Sequence, residues 1–144
     1  MGGVYGLKAV LFALSAAMFA TEATAELYYC DLTDALTMGD EGTLEQSEIR
    51  VELLKSQLVV NRTTGTITHP FFGSEFYSSV EVVDFGSSGS SFKVVAISEE
   101  GSPVKVGEAP FRNMLVLQVG VYSKSIAKPM ILLADTTLVL GTCQ

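Results

Sequence analysis

The chain has 144 residues, which is room for one small domain, and its hydrophobic fraction of 48% is too high for a disordered chain. The 9 basic and 16 acidic side chains give a net charge of -7. An acidic chain repels phosphate, so we predict no nucleic-acid partner.

The first 25 residues have the order of a secretory signal peptide. Lys8 precedes an apolar run over residues 9–20, and the small residues Ala23-Thr24-Ala25 follow it. A bilayer-spanning helix needs roughly 20 apolar residues, more than this run supplies, so we expect cleavage before Glu26 rather than a permanent anchor. We therefore predict a signal peptide at 1–25 and one exported domain at 26–144, periplasmic or extracellular, without membrane attachment after cleavage.

Two cysteines lie near the ends of the predicted mature domain. Disulfides persist in the compartments that exported chains enter, so Cys30 and Cys143 are expected to pair. A two-cysteine metal site would lack its other ligands, and a reactive thiol would lack a neighbouring histidine or helix start. We predict a structural disulfide that joins the first strand to the last.

The chain after Cys30 begins with a polar segment to about Ser47. Apolar and charged residues then alternate over 49–53, which favours a half-buried strand. A helix over 44–57 is the alternative, because Thr43 and Gln46 have capping-box spacing.

The middle of the chain reads as paired strands. Residues 57–61 and 66–69 flank a polar turn that ends in Gly65, which is typical of a hairpin. Residues 76–85 and 92–97 are predicted to be neighbouring strands across a Gly/Ser-rich connection.

The last third contains four further predicted strands. Val104 and Val106 indicate a short edge strand, and 114–122 a central strand covered on both faces. Residues 130–134 and 137–140 close the series. About eight strands in all predict an all-β fold, a small antiparallel meander barrel or a two-layer sandwich. A disulfide between first and last strands favours the barrel, because it would bring the two sheet edges together.

Several segments together resemble known secreted proteins. They are Leu27-Tyr28-Tyr29-Cys30, residues 61–70, residues 86–94, Lys128-Pro129 and Gly141-Thr142-Cys143. This set is similar to small secreted proteins of proteobacteria, a resemblance that implies export but no activity. The cysteine positions, size and strand number are also similar to periplasmic C-type lysozyme inhibitors. The Ser-Gly-x-x-Tyr loop of those inhibitors is absent, so no inhibitory residue is carried over.

Acidic side chains are concentrated early in the mature domain. Residues 31–52 hold seven carboxylates and one guanidinium, a balance of -6. A solvated loop is the simplest interpretation. A docking surface for a basic protein and a cation site are the functional alternatives, although the EF-hand spacing is missing and no metal site is predicted. The candidate residues are Asp34, Asp40, Glu41 and Glu45.

Four aromatic residues are concentrated within seven positions. Phe71, Phe72, Phe76 and Tyr77 would fill the core or line an apolar pocket at a barrel mouth. His69, beside them, is the one histidine, and the Gly86-Ser87-Ser88-Gly89 segment falls short of a nucleophile elbow.

These patterns favour a binding protein over an enzyme. We expect a non-enzymatic interaction module without cofactors, which docks a protein partner through the acidic segment. The alternative is a lipocalin-like carrier of a small apolar ligand.

Overall fold

The computed structural model describes residues 27–98, 105–106, 109–110 and 113–144. The predicted signal peptide, Glu26 and Val104 lie outside these residues. Within the described part of the chain, no helix is long and apolar enough to cross a bilayer.

The protein is all-β, as predicted, and its main sheet is antiparallel throughout. Nine strands form this sheet: β1 (Leu27–Met38), β2 (Leu44–Gln46), β3 (Leu58–Asn61), β4 (Ile67–Thr68), β5 (Ser79–Ser87), β6 (Ser90–Ile97), β9 (Met114–Val119), β10 (Lys128–Ala134) and β11 (Thr137–Cys143). A separate two-stranded sheet consists of β7 (Lys105–Val106) and β8 (Ala109–Pro110). The helical elements are α1 (Arg50–Leu53) and a 3₁₀ turn at Ser74–Phe76.

Eight strands curl into a half-barrel. Their order is β4-β3-β1-β11-β10-β9-β6-β5, and β2 pairs with the far end of β1. Most neighbours in space are also neighbours along the chain, so the sheet is a meander whose first and last strands meet in its middle.

The predicted disulfide is confirmed. Cys30 and Cys143 face each other across β1 and β11 with a Cα–Cα distance of 3.9 Å, and both are fully buried. Tyr29 and Gln144 exchange two backbone hydrogen bonds of 3.0 Å beside them.

The disulfide joins the first and last strands of the chain, as predicted, but it does not join the two edges of the sheet. The disulfide joins two interior strands, whereas the free edges are β4 and β5. The turn at Gly65, before β4, packs against Val82 of β5 and Val94 of β6. The Ile67 N–H of β4 donates to Ser74 Oγ of the 3₁₀ turn at 2.7 Å. The fold is therefore a half-barrel rather than a closed barrel.

The core fills the concave side of the sheet. Adjacent strands contribute fully buried rows such as Val139, Leu132, Leu117 and Val94. The strand predicted over 114–122 is central, because β9 lies between β6 and β10 and buries Leu115, Leu117 and Val119. It ends earlier than predicted, at Val119.

Two segments differ from the sequence interpretation. The polar segment after Cys30 continues as strand β1, because Leu32 and Ala35 point inward on either side of a one-residue bulge. The favoured strand over 49–53 is wrong: the Leu53 N–H bonds to the Ile49 carbonyl at 3.0 Å in a single helical turn, whose one buried side chain is Leu53.

The strand predicted over 76–85 begins later, at Ser79. Phe76 lies instead on the 3₁₀ turn, and its carbonyl accepts a hydrogen bond from Ser98 Oγ at 3.0 Å. The predicted pairing of β5 with β6 and the β3–β4 hairpin are confirmed.

Candidate functional site

Five exposed carboxylates gather at one end of the half-barrel, which we call the acidic end. They come from the turn after β1, from β2, from the residues before α1 and from the β10–β11 turn: Asp40, Glu41, Glu45, Glu48 and Asp135.

Strand pairing explains why these segments meet. Thr37 is opposite Thr137 in the register of β1 and β11, and the Met38 N–H donates to the Thr136 carbonyl at 3.1 Å. β2 pairs with the same end of β1, with Glu45 opposite Thr37. The acidic end is therefore held by backbone ladders rather than by a free loop.

The turns of the acidic end have defined backbone geometry. Gly42 has a φ of +75°, and its N–H donates to the Gly39 carbonyl at 2.9 Å. Asp135 has a φ of 52°, a left-handed conformation that aspartate tolerates better than most residues. These turns hold the carboxylates in solvent.

A pocket of about 340 Å³ lies within the acidic end. It is lined by residues from β1, β2, the following turn and β11: Thr37, Glu45, Gln46, Ser47, Glu48, Ile49 and Thr137. Ser47 is buried, and its N–H donates to the Ala35 carbonyl at 3.0 Å, which fixes the wall of the pocket to β1.

The negative charge at this end is not neutralised within the described residues. None of its five carboxylates lies in a salt bridge there. No group of three or more His, Cys, Asp or Glu in this part of the chain is arranged to hold a metal ion. The carboxylates therefore form a spread anionic surface rather than a chelating set.

Asp34, the fourth acidic candidate, lies apart from this surface. Its Oδ1 accepts a 2.6 Å hydrogen bond from Arg50 Nε and a 2.9 Å bond from the Ala35 N–H. The bond from Arg50, followed by the bond from Ala35, lowers the pKa of Asp34. Asp34 therefore fixes α1 to β1 and adds no net charge to the acidic end.

The sequence predicts one surface from Asp34, Asp40, Glu41 and Glu45, and the structure brings the last three together. Asp135 was not among the predicted residues, and it is 90 residues or more from those three along the chain. The signal that could have found it is the disulfide, since pairing Cys30 with Cys143 places the β10–β11 turn beside the turn after β1.

The four aromatic candidates divide between the interior and the surface. Phe72 is buried and Tyr77 packs against the core, where burial raises the pKa of its phenol. Phe71 and Phe76 are exposed. The segment covers the seam between β4 and β5, so its aromatic rings help to cap the core.

His69 lies inside this aromatic segment with 3% of its surface exposed. Its ring stacks on Phe72 at 5.1 Å between centroids, and Nδ1 accepts a hydrogen bond from the Phe71 N–H at 3.2 Å. Burial lowers the pKa of His69, an effect that the nearby carbonyls of Leu53 and Ser56 oppose. The imidazole is therefore neutral at pH 7 and has a packing role here.

Comparisons with protein-family models, curated proteins and solved structures return no match for this chain.

Proposed function

We propose that this protein is a non-enzymatic interaction module that docks a basic protein surface through the acidic end. The observation that carries this proposal is the gathering of five exposed carboxylates at one end of the half-barrel, without a salt bridge among the described residues. Two of them, Glu45 and Glu48, line the pocket. Such a negatively charged surface attracts cationic groups and accelerates the encounter with a basic partner.

The position of the acidic end supports docking. Its carboxylates stand on turns fixed by the β1–β11 and β1–β2 ladders, so a partner would meet an already ordered surface. Little conformational entropy is then lost on association.

The burial of His69 supports a non-enzymatic role. A general base must reach the proton that it removes, whereas this imidazole is enclosed by Phe71, Phe72 and the segment after α1. Both cysteine sulfurs are held in the disulfide and supply no nucleophile.

Export to an oxidising compartment is part of the proposed function. The disulfide is consistent with an oxidising exported compartment. The signal peptide and a periplasmic or extracellular location remain predictions from the sequence.

The experiment is affinity capture from an extract of the host's exported proteins at about 50 and 500 mM salt. Screening of exposed charges shortens with ionic strength, so we expect a partner that is captured at low salt and released at high salt. The variant Asp40→Asn/Glu41→Gln/Glu45→Gln should lose that partner.

The matched control is Asp31→Asn/Glu75→Gln/Glu81→Gln. It removes the same three charges from exposed positions that are not among the five carboxylates of the acidic end, and it should retain the partner. Capture that resists salt, or that both variants weaken equally, would show that the acidic end is not the docking site.

We prefer this proposal to the carrier because fully buried side chains such as Leu117, Val94 and Leu132 fill the concave side. Native mass spectrometry of protein from its own host separates the two, because a carrier would retain a small apolar ligand.

A further inference from the structure

The loop between β9 and β10, residues 120–127, carries the most exposed large apolar side chain of the described residues. Ile126 is 87% exposed and Tyr122 is 54% exposed. Lys124 lies between them and Lys128 follows directly. An apolar tip flanked by cations therefore projects from the end of the half-barrel opposite the acidic end.

This loop has its own internal support. The Gly120 N–H donates to the Pro129 carbonyl at 2.8 Å, and the Ser123 N–H donates to the Gly120 carbonyl at 3.0 Å. Lys128 Nζ donates to the Ser123 carbonyl, which holds its ammonium against the loop. Ile126 is thus presented to solvent by a bonded turn.

The neighbouring hairpin extends the same surface. A side chain added at Gly86, in the β5–β6 hairpin, would lie 2.4 Å from Val121 Cγ2, so the hairpin and the loop are in contact. Phe85 on that hairpin is also exposed. The carboxylate beside it, Asp84, is paired with Lys93 at 2.9 Å and so does not offset the positive charge of the loop lysines.

The acidic end is too distant to cancel this positive charge. β10 runs from Lys128 to Ala134, next to Asp135, and seven residues of strand span roughly 20 Å. The Debye length at physiological ionic strength is about 8 Å, so the two ends act independently.

We propose that loop 120–127 contacts an anionic lipid bilayer, with Ile126 and Tyr122 inserted among the headgroups and Lys124 and Lys128 on lipid phosphates. A protein partner would need a flat or concave surface of roughly 800 Å² on each side, whereas a projecting tip needs only a fluid interface. Lysines next to apolar side chains that insert into the bilayer can bind the phosphates of anionic headgroups. This peripheral contact departs from the expected absence of membrane attachment, and it does not rest on the proposed docking function.

The absence of tryptophan from the chain allows a direct test. Ile126→Trp places one fluorophore at the tip, and Ile49→Trp places one at the acidic end as a matched control. With vesicles of phosphatidylglycerol and phosphatidylcholine we expect a blue shift, and quenching by brominated lipid, for the Ile126→Trp variant only. Both signals should fall with added salt and in vesicles of phosphatidylcholine alone.

Vesicle sedimentation of the chain without tryptophan provides the second measurement. Ile126→Ser should weaken binding about tenfold and Lys124→Gln about fivefold. The controls Ile49→Ser and Lys55→Gln should leave it unchanged. No binding to phosphatidylglycerol vesicles, or equal losses in the control variants, would overturn the proposal. A dimer in solution that Ile126→Ser dissociates would identify a second copy of the chain as the occupant instead.

Discussion

His69 shows how one residue couples packing to pH. The imidazole is 3% exposed and is stacked on Phe72. Burial disfavours the charged ring, so the pKa of His69 lies below its usual value. His69 is the last residue of the strand predicted over 66–69, but its burial depends on α1 and on the aromatic segment, which local patterns do not reveal.

We predict that His69 makes stability dependent on pH. Between the lowered folded value and the unfolded pKa of about 6.5, the unfolded chain binds one more proton than the folded protein. The contribution is therefore fully present above about pH 6.5 and is lost as the pH falls below it. As the one histidine, it gives a single imidazole signal by NMR, and that signal should titrate below 6.5.

The control for this prediction is His69→Gln, which should flatten the dependence of unfolding free energy on pH between about 7 and 5. An imidazole that titrates at or above 6.5, or a variant that keeps the dependence, would contradict the buried neutral ring.

Alanine substitution at three glycines distinguishes the cost of a positive φ from the cost of steric crowding. Gly86 combines a φ of +77° with crowding, since an added Cβ would lie 2.9 Å from the Phe92 nitrogen. Gly42 has a φ of +75° and open space, and Gly89 has open space without a left-handed φ. We predict that Gly86→Ala destabilises most, that Gly42→Ala costs about 1 kcal/mol, and that Gly89→Ala is neutral or slightly stabilising.

Urea unfolding of the three alanine variants measures this order. Equal losses of unfolding free energy for Gly86→Ala and Gly42→Ala would mean that Gly86 does not lie as close to Val121 and Phe92 as described.

At the scale of elements, the predictions that succeeded rest on alternating side chains. β9 and the β3–β4 hairpin follow from periodicity and turn residues alone. The continuation of β1 beyond Cys30 did not follow, because a bulge between Leu32 and Asp34 shifts its inward face by one residue. The alternation over 49–53 was misleading because Val51 is exposed and only Leu53 is buried.

Among the links between strands, the disulfide is predicted to contribute most to the free energy of unfolding. The cysteines are separated by 113 positions, and the chain-entropy model gives about 4 to 5 kcal/mol for a loop of that length. We predict that Cys30→Ser/Cys143→Ser unfolds at a markedly lower denaturant concentration than the oxidised protein. Reductant should lower the midpoint of the wild type but not that of the variant.

A wild-type midpoint that does not respond to full reduction would contradict this account. The β1–β11 ladder alone would then hold the first and last strands together.

Across the described part of the molecule, the carboxylates of the acidic end and the two loop lysines lie at opposite ends of the half-barrel. The acidic end collects carboxylates from turns that are distant in sequence, while Lys124 and Lys128 stand at the other end. The sequence revealed a local excess of acid over residues 31–52, but not that Asp34 is neutralised by Arg50 or that Asp135 joins the acidic end. These are consequences of strand register, which a single sequence does not specify.

The resemblance to small secreted proteins of proteobacteria stays a prediction. The disulfide is consistent with an oxidising exported compartment, and the proposed function is inferred from the site alone.

A hydrogen-exchange footprint of the protein bound to its captured partner tests docking at the acidic end most directly. We expect slower exchange at residues 38–49 and 135–137, around the acidic end, and unchanged exchange in loop 120–127. Protection confined to that loop or to the free edge of β5, with the acidic end unaltered, would contradict it.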